Sequence, residues 1–125
     1  MDLISTNHAP QAGGHYSQGV LHRGFLFISG QLAIDAYTGE KKLGGIEEQT
    51  TQVLINMEAI AKAAGANRNQ VLKVTIFISD IDLWSKVNEV YADFFGSHRP
   101  ARAIVPCKDL HHGFLIELEA IVAVE

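Results

Sequence analysis

The stretch RPARAIVPCKDLHHGFLIELEAIV, residues 99 to 122, places one guanidinium, Arg102, in an apolar run and two carboxylates, Glu117 and Glu119, in another. Charges inside strand-like runs call for partners, because a desolvated ion is costly unless another group answers it. Two readings follow. Arg102 can close a structural ion pair with Glu117 or Glu119, which adds little net stability once desolvation is counted. Alternatively its planar fork faces a pocket and holds a ligand carboxylate, while one glutamate handles a water. Adjacent strands could bring the arginine and a glutamate onto one face, and pattern alone does not choose between the readings.

Other reactive side chains form no familiar arrangement. Cys107 is the single cysteine, so no intrachain disulfide is available. No catalytic constellation surrounds it, and it reads as a turn or interface residue. His111 and His112 lack the helical H-E-x-x-H spacing. Adjacent histidines on a strand would point to opposite faces, so no metal site is expected. His111 reads as an exposed loop residue or as a histidine at a pocket rim, adjusting its polarity.

The elements that must position these groups are legible as periods. The 125 residues are 47% hydrophobic and 19% charged, a composition for one globular domain spanning 1–125. Short strand-like runs at 20–22 and 25–29 flank Arg23-Gly24, a tight-turn signal. From Glu47 to Ala64 the apolar residues Val53, Met57, Ile60 and Ala64 follow the helical period, with Gly65 as the stop. Residues 71–79 alternate, with Leu72, Val74, Ile76 and Ile78 on one face. Asp82 is placed to cap a helix over 83–95, whose stripe is Leu83, Val87, Val90/Tyr91 and Phe94. Trp84 and the phenylalanines 25, 27, 77 and 94 read as packing. Strands at 101–105 and 114–124 complete a strand-strand-helix-strand-helix-strand-strand order.

In the last strand Phe114, Ile116, Leu118, Ala120, Val122 and Val124 form one apolar face, suited to the two helices. The other face carries Leu115, Glu117, Glu119, Ile121 and Ala123, too apolar for free exposure to water. A second subunit is the expected cover.

Charge and composition exclude other classes. The net charge of −4, with no Lys/Arg cluster, offers no general attraction to a nucleic-acid backbone. No apolar run approaches the roughly 20 residues of a membrane span. The opening MDLISTNHAP shows no basic region followed by an apolar one. A cytoplasmic protein is the expectation.

Five segments, GHYSQG at 14–19, SGQ at 29–31, VNEVYADFF at 87–95, PARAIV at 100–105 and IELEAI at 116–121, together resemble the YjgF/RidA (reactive intermediate deaminase) family. The resemblance runs from about Ile4 onward. It implies an α+β, chorismate-mutase-like fold, a mixed sheet with two helices packed on one face, assembled as a homotrimer with active sites between subunits. It implies a 2-iminobutanoate/2-iminopropanoate deaminase, hydrolysing imines from pyridoxal-phosphate enzymes to 2-keto acids and ammonia without cofactor or metal. By position, Arg102 matches the substrate-carboxylate clamp and Glu117 the residue holding the attacking water. Tyr16 matches the tyrosine that closes the pocket. Gly30 and Asn88 match pocket-lining positions, and Ile104 the one whose backbone approaches the ligand. The chain departs from the family pattern at His15, at Ala103-Ile104 in place of Ser-Cys, and at Leu110-His111 in place of Leu-Pro. Relatives also carry the roles of non-catalytic ligand sensor and of endoribonuclease or translation inhibitor.

Overall fold

The structure, a computed structural model, describes all 125 residues. Along the chain come β1 (Asp2–Ile4), β2 (Gly19–His22), β3 (Phe25–Gln31), α1 (Ile46–Ala63), β4 (Val71–Ile78), α2 (Trp84–Phe95), β5 (Ala101–Pro106) and β6 (Ile116–Ala123). The six strands form one sheet in the order β1-β2-β3-β6-β4-β5. All pairings are antiparallel except β4 with β5.

The topology explains why both helices share a face. β3 and β4 both run antiparallel to β6, hence parallel to each other, and α1 connects them; α2 connects the parallel pair β4 and β5. Both crossovers travel the same way across the sheet. Right-handedness then puts both helices on the same side. β6 returns into the gap between β3 and β4.

Sequence features set the boundaries. Arg23 (φ 49°) and Gly24 (φ 80°) make the left-handed pair that a two-residue hairpin between β2 and β3 demands. Gly65 (φ 88°) follows α1, as expected of a stop residue. The second helix begins one residue later than its period suggests. A short 3-10 turn over Ile81–Leu83 precedes it, capped by Asp80, whose carboxylate accepts from the Asp82 amide at 2.8 Å, so Asp82 is not the cap. β1 was not legible, being only three residues long, two of them exposed.

The core lies between the sheet and the helices. Leu26, Ile28, Val74, Ile76, Leu118 and Val122 face Val53, Leu54, Met57 and Ile60 of α1 and Val87 and Phe95 of α2, all buried. On β6 the expected apolar face is buried through Val122, with Val124 half-buried. On β4 one expectation fails. The pairing skips from Val71↔Val122 to Lys73↔Ile121, so Leu72 is an extra residue in a bulge. Val71 takes the inward position, and Leu72 is 43% exposed.

The opposite face of the sheet carries Phe25, Phe27, Phe77, Val105, Ile121, Glu117 and Glu119, and no element of this chain covers it. Phe25 and Phe27 are about half exposed. No helix is long and apolar enough to cross a membrane.

Candidate active site

Arg102 lies on β5 directly opposite Val74, whose other partner is Ala120, so its side chain projects on the helix face. There Nη1 donates to Asn88 Oδ1 on α2 at 2.9 Å. The guanidinium also sits over the Tyr91 ring, 4.7 Å from its centroid, and 5.6 Å from that of Trp84. It forms no ion pair: the only close carboxylate–cation contacts are Lys42–Glu48, Lys62–Glu58 and Arg68–Glu58. The structural-pair reading of Arg102 is thereby excluded within the chain. Beside the guanidinium opens a cavity of about 480 Å³, lined by Asn88, Tyr91, Phe95, His98, Arg99 and Arg102 among others. Ile104 follows on β5, half-buried opposite Ile76, on an edge strand with no partner on its outer side.

Glu117 lies elsewhere. β4 separates β5 from β6, and Glu117 pairs with Phe77, which places it on the open face. Arg102 and Glu117 therefore do not share a face in one chain, contrary to the expectation from adjacent strands. Register decides it: Arg102 lies in line with Val74 and Ala120, and Glu117, three residues from Ala120, points to the other face.

Glu117 runs across Gly30. A Cβ on Gly30 would collide with Glu117 Oε2, so the carboxylate can lie against this backbone as it does because the residue is glycine. Gly30 belongs to a second bulge: Ile28 pairs with Ala120 and Gln31 with Leu118, leaving Ser29 and Gly30 opposite Glu119. The cavity here, about 440 Å³, is lined by Gly30, Phe77, Cys107, Leu110, Glu117 and Glu119 among others. Burial raises the Glu117 pKa above the ordinary carboxylate value, the Glu119 charge adds to the shift, and His111 opposes it.

Tyr16 stands on the other side of Gly30. A cavity of about 320 Å³ holds Tyr16, Gln18, Gly30, Gln31, His111 and His112 among its walls. The loop carrying Tyr16 is tied to the bulge: Ser29 Oγ donates to Ser17 O at 2.5 Å and the Ser29 amide to Gln18 O at 3.0 Å. The buried Gln18 side chain accepts from the Thr6 amide and donates to Thr6, Ala9 and Pro10 carbonyls, holding the loop's start. The Tyr16 hydroxyl accepts from the Gly13 amide at 3.1 Å, and the side chain is 53% exposed.

The nominated residues thus form two sets. Asn88, Arg102 and Ile104 lie at the β5 edge; Tyr16, Gly30 and Glu117 lie around the β3 bulge. Sequence reasoning missed Tyr91 and Trp84, which flank the guanidinium but carry ordinary helix-stripe signals. His111 and His112 are exposed in a 3-10 turn, as the loop reading expects; His112 is left-handed (φ 59°), and their tilted rings lie 3.6 Å apart.

Comparisons with known proteins match nearly the whole chain. The family described as Endoribonuclease L-PSP matches residues 6–124. A RutC family protein of Pyrococcus horikoshii is 48% identical over 120 residues, which cover 96% of this chain and 95% of that protein. The human 2-iminobutanoate/2-iminopropanoate deaminase is 43% identical over 119 residues, 95% of this chain and 87% of that protein. E. coli TdcF, in a crystal structure with bound serine, superposes with a TM-score of 0.95 at 35% identity, covering 100% of both chains. This chain belongs to the YjgF/RidA family.

Proposed function

We propose that the protein is a cytoplasmic 2-imino acid deaminase, hydrolysing 2-iminobutanoate and 2-iminopropanoate to 2-keto acids and ammonia at sites between the chains of a homotrimer. The observation that carries this reading is Arg102. Its guanidinium is held by Asn88 yet commits no N–H to any carboxylate of its own fold, beside an open cavity. An uncommitted planar fork suits a ligand carboxylate, which it can grip bidentately. The open sheet face and the separation of the two residue sets favour an assembly in which one chain's Arg102 edge meets another chain's Glu117 cavity. The human deaminase and the amino acid in TdcF are consistent with a small carboxylate ligand.

The chemistry needs little more. A protonated imine is electrophilic at carbon. Ionised Glu117 accepts a proton from water as the oxygen attacks, giving a neutral carbinolamine. Protonated Glu117 returns that proton to the amine. The C–N bond then breaks as the hydroxyl becomes a carbonyl, and the hydroxyl proton leaves with ammonia as ammonium. Arg102 fixes the carboxylate so that the imine carbon meets the water in a productive pose.

A non-catalytic 2-keto acid sensor would use the Arg102 half alone; the half-buried carboxylate with a raised pKa favours turnover. The endoribonuclease activity in the family's description would call for a basic track along a phosphate backbone, which a net charge of −4 with no Lys/Arg cluster does not offer. The test is to generate 2-iminopropanoate with a serine dehydratase and follow pyruvate release. The protein accelerates release, and Arg102→Ala abolishes the acceleration while preserving oligomer mass. Full activity in a purified, folded Arg102→Ala protein refutes the clamp, and 2-keto acid binding without acceleration selects the sensor.

A further inference from the structure

The helical period assigns Tyr91 to the packing stripe of α2, and packing accounts for its ring but not for its hydroxyl. Tyr91 is 6% exposed, and its hydroxyl is the one buried side-chain polar atom without a hydrogen-bond partner. A buried orphan of this kind is a standing cost to the fold, and phenylalanine would fill the same space without it. Packing is not the ring's only contact, for its face stands against Arg102.

Trp84, Asn88 and Tyr91 fall at i, i+4 and i+7 on α2, so all three present one side of the helix to the same region. That region is the Arg102 guanidinium. Asn88 accepts from one edge at 2.9 Å, while the Tyr91 ring lies beneath at 4.7 Å, inside the range over which an aromatic face attracts a cation. Trp84 flanks it at 5.6 Å. All of these contacts restrain the guanidinium's plane without consuming the remaining N–H edge.

We propose that Tyr91 is a positioning residue for Arg102: a neutral aromatic floor that keeps the guanidinium flat, so that its uncommitted edge faces the cavity. This rests on the clamp reading above and deepens it. Neutrality matters, because a phenolate here would pair with Arg102 and quench its charge. Burial pushes the Tyr91 hydroxyl up to about 12, with the Arg102 charge opposing, so the ring stays uncharged at physiological pH.

The test separates the ring's face from its shape. Tyr91→Phe keeps the face and removes the orphan. Tyr91→pentafluorophenylalanine, introduced by amber suppression, keeps the shape and reverses the electrostatic sign of the face. Binding of 2-ketobutyrate is measured by isothermal titration calorimetry. The Phe variant binds within about twofold of wild type and melts higher. The pentafluoro variant binds about tenfold more weakly, with KM raised in step and kcat within about twofold, because the carboxylate is gripped alike in ground and transition states. Equal affinity of the two folded variants overturns the floor. Wild-type protein that does not bind 2-ketobutyrate overturns the clamp and the floor together, which distinguishes the two failures.

Discussion

Glu117 combines two opposed requirements: a carboxylate must be ionised to take a proton from water, yet partial burial beside Glu119 resists ionisation. The activity of the wild type should therefore rise with pH along an acid limb displaced above the ordinary carboxylate range. Glu117→Gln should remove that limb and slow turnover about 100-fold or more, with 2-ketobutyrate affinity little changed. The same residue links pH to stability. Its pKa is raised on folding, so the folded state holds the proton more tightly, and stability falls as pH climbs from the unfolded to the folded value. Above that window the wild type carries the full penalty and Glu117→Gln does not. Thermal melts should show the variant gaining on wild type as pH rises above the ordinary carboxylate range. Gly30→Ala should also cut kcat in a folded protein, since the new methyl displaces the flexible end of Glu117. At this scale the sequence nominated residues by type and by resemblance. Arg102, Glu117, Gly30 and Tyr16 all line cavities. It did not disclose which side of the sheet each occupies, because register is decided by cross-strand pairing.

The helices were legible from their 3.6-residue period and glycine stops, and the strands from alternation. What escaped were departures from period. A bulge at Leu72 reverses the inside-outside reading of the start of β4, and a bulge at Ser29–Gly30 shapes the site; each depends on cross-strand pairing that a single strand's residues do not encode. The cap of the second helix escaped because Asp80 and Asp82 both suit that role. A second connection was also invisible. Arg68, in the turn before β4, donates Nε and Nη2 to Glu58 of α1 at 2.6 and 2.8 Å, and Nη1 to the Phe94 carbonyl of α2 at 2.7 Å. Its guanidinium also stacks 3.8 Å from the Phe94 ring centroid. One side chain thus joins both helices near the end of α2. Arg68→Ala should cost about 2 kcal/mol in urea unfolding, and Arg68→Lys should recover little, lacking the fork.

For the molecule as a whole, the two residue sets make assembly and chemistry inseparable in the proposed enzyme. Arg102→Ala and Glu117→Gln chains should each be inactive alone. Unfolded together and refolded as a mixture, they should regain measurable imine hydrolysis, because some sites then draw an intact Arg102 from one chain and an intact Glu117 from another. No recovery in mixed oligomers, verified by mass, would show that each chain supplies a whole site. The expectation of a second chain comes from the over-apolar outer face of β6; no partner orientation can be read the same way, since complementarity between surfaces leaves no periodic trace.

The placement of β6 also bears on how the protein is born. Without the residues from Ile116 onward, β3 and β4 lack the strand that pairs with both of them. Such facing edges invite any stray extended segment. The lane between β3 and β4 can therefore fill only once β6 is available, and closure of this part of the sheet is expected to follow the rest.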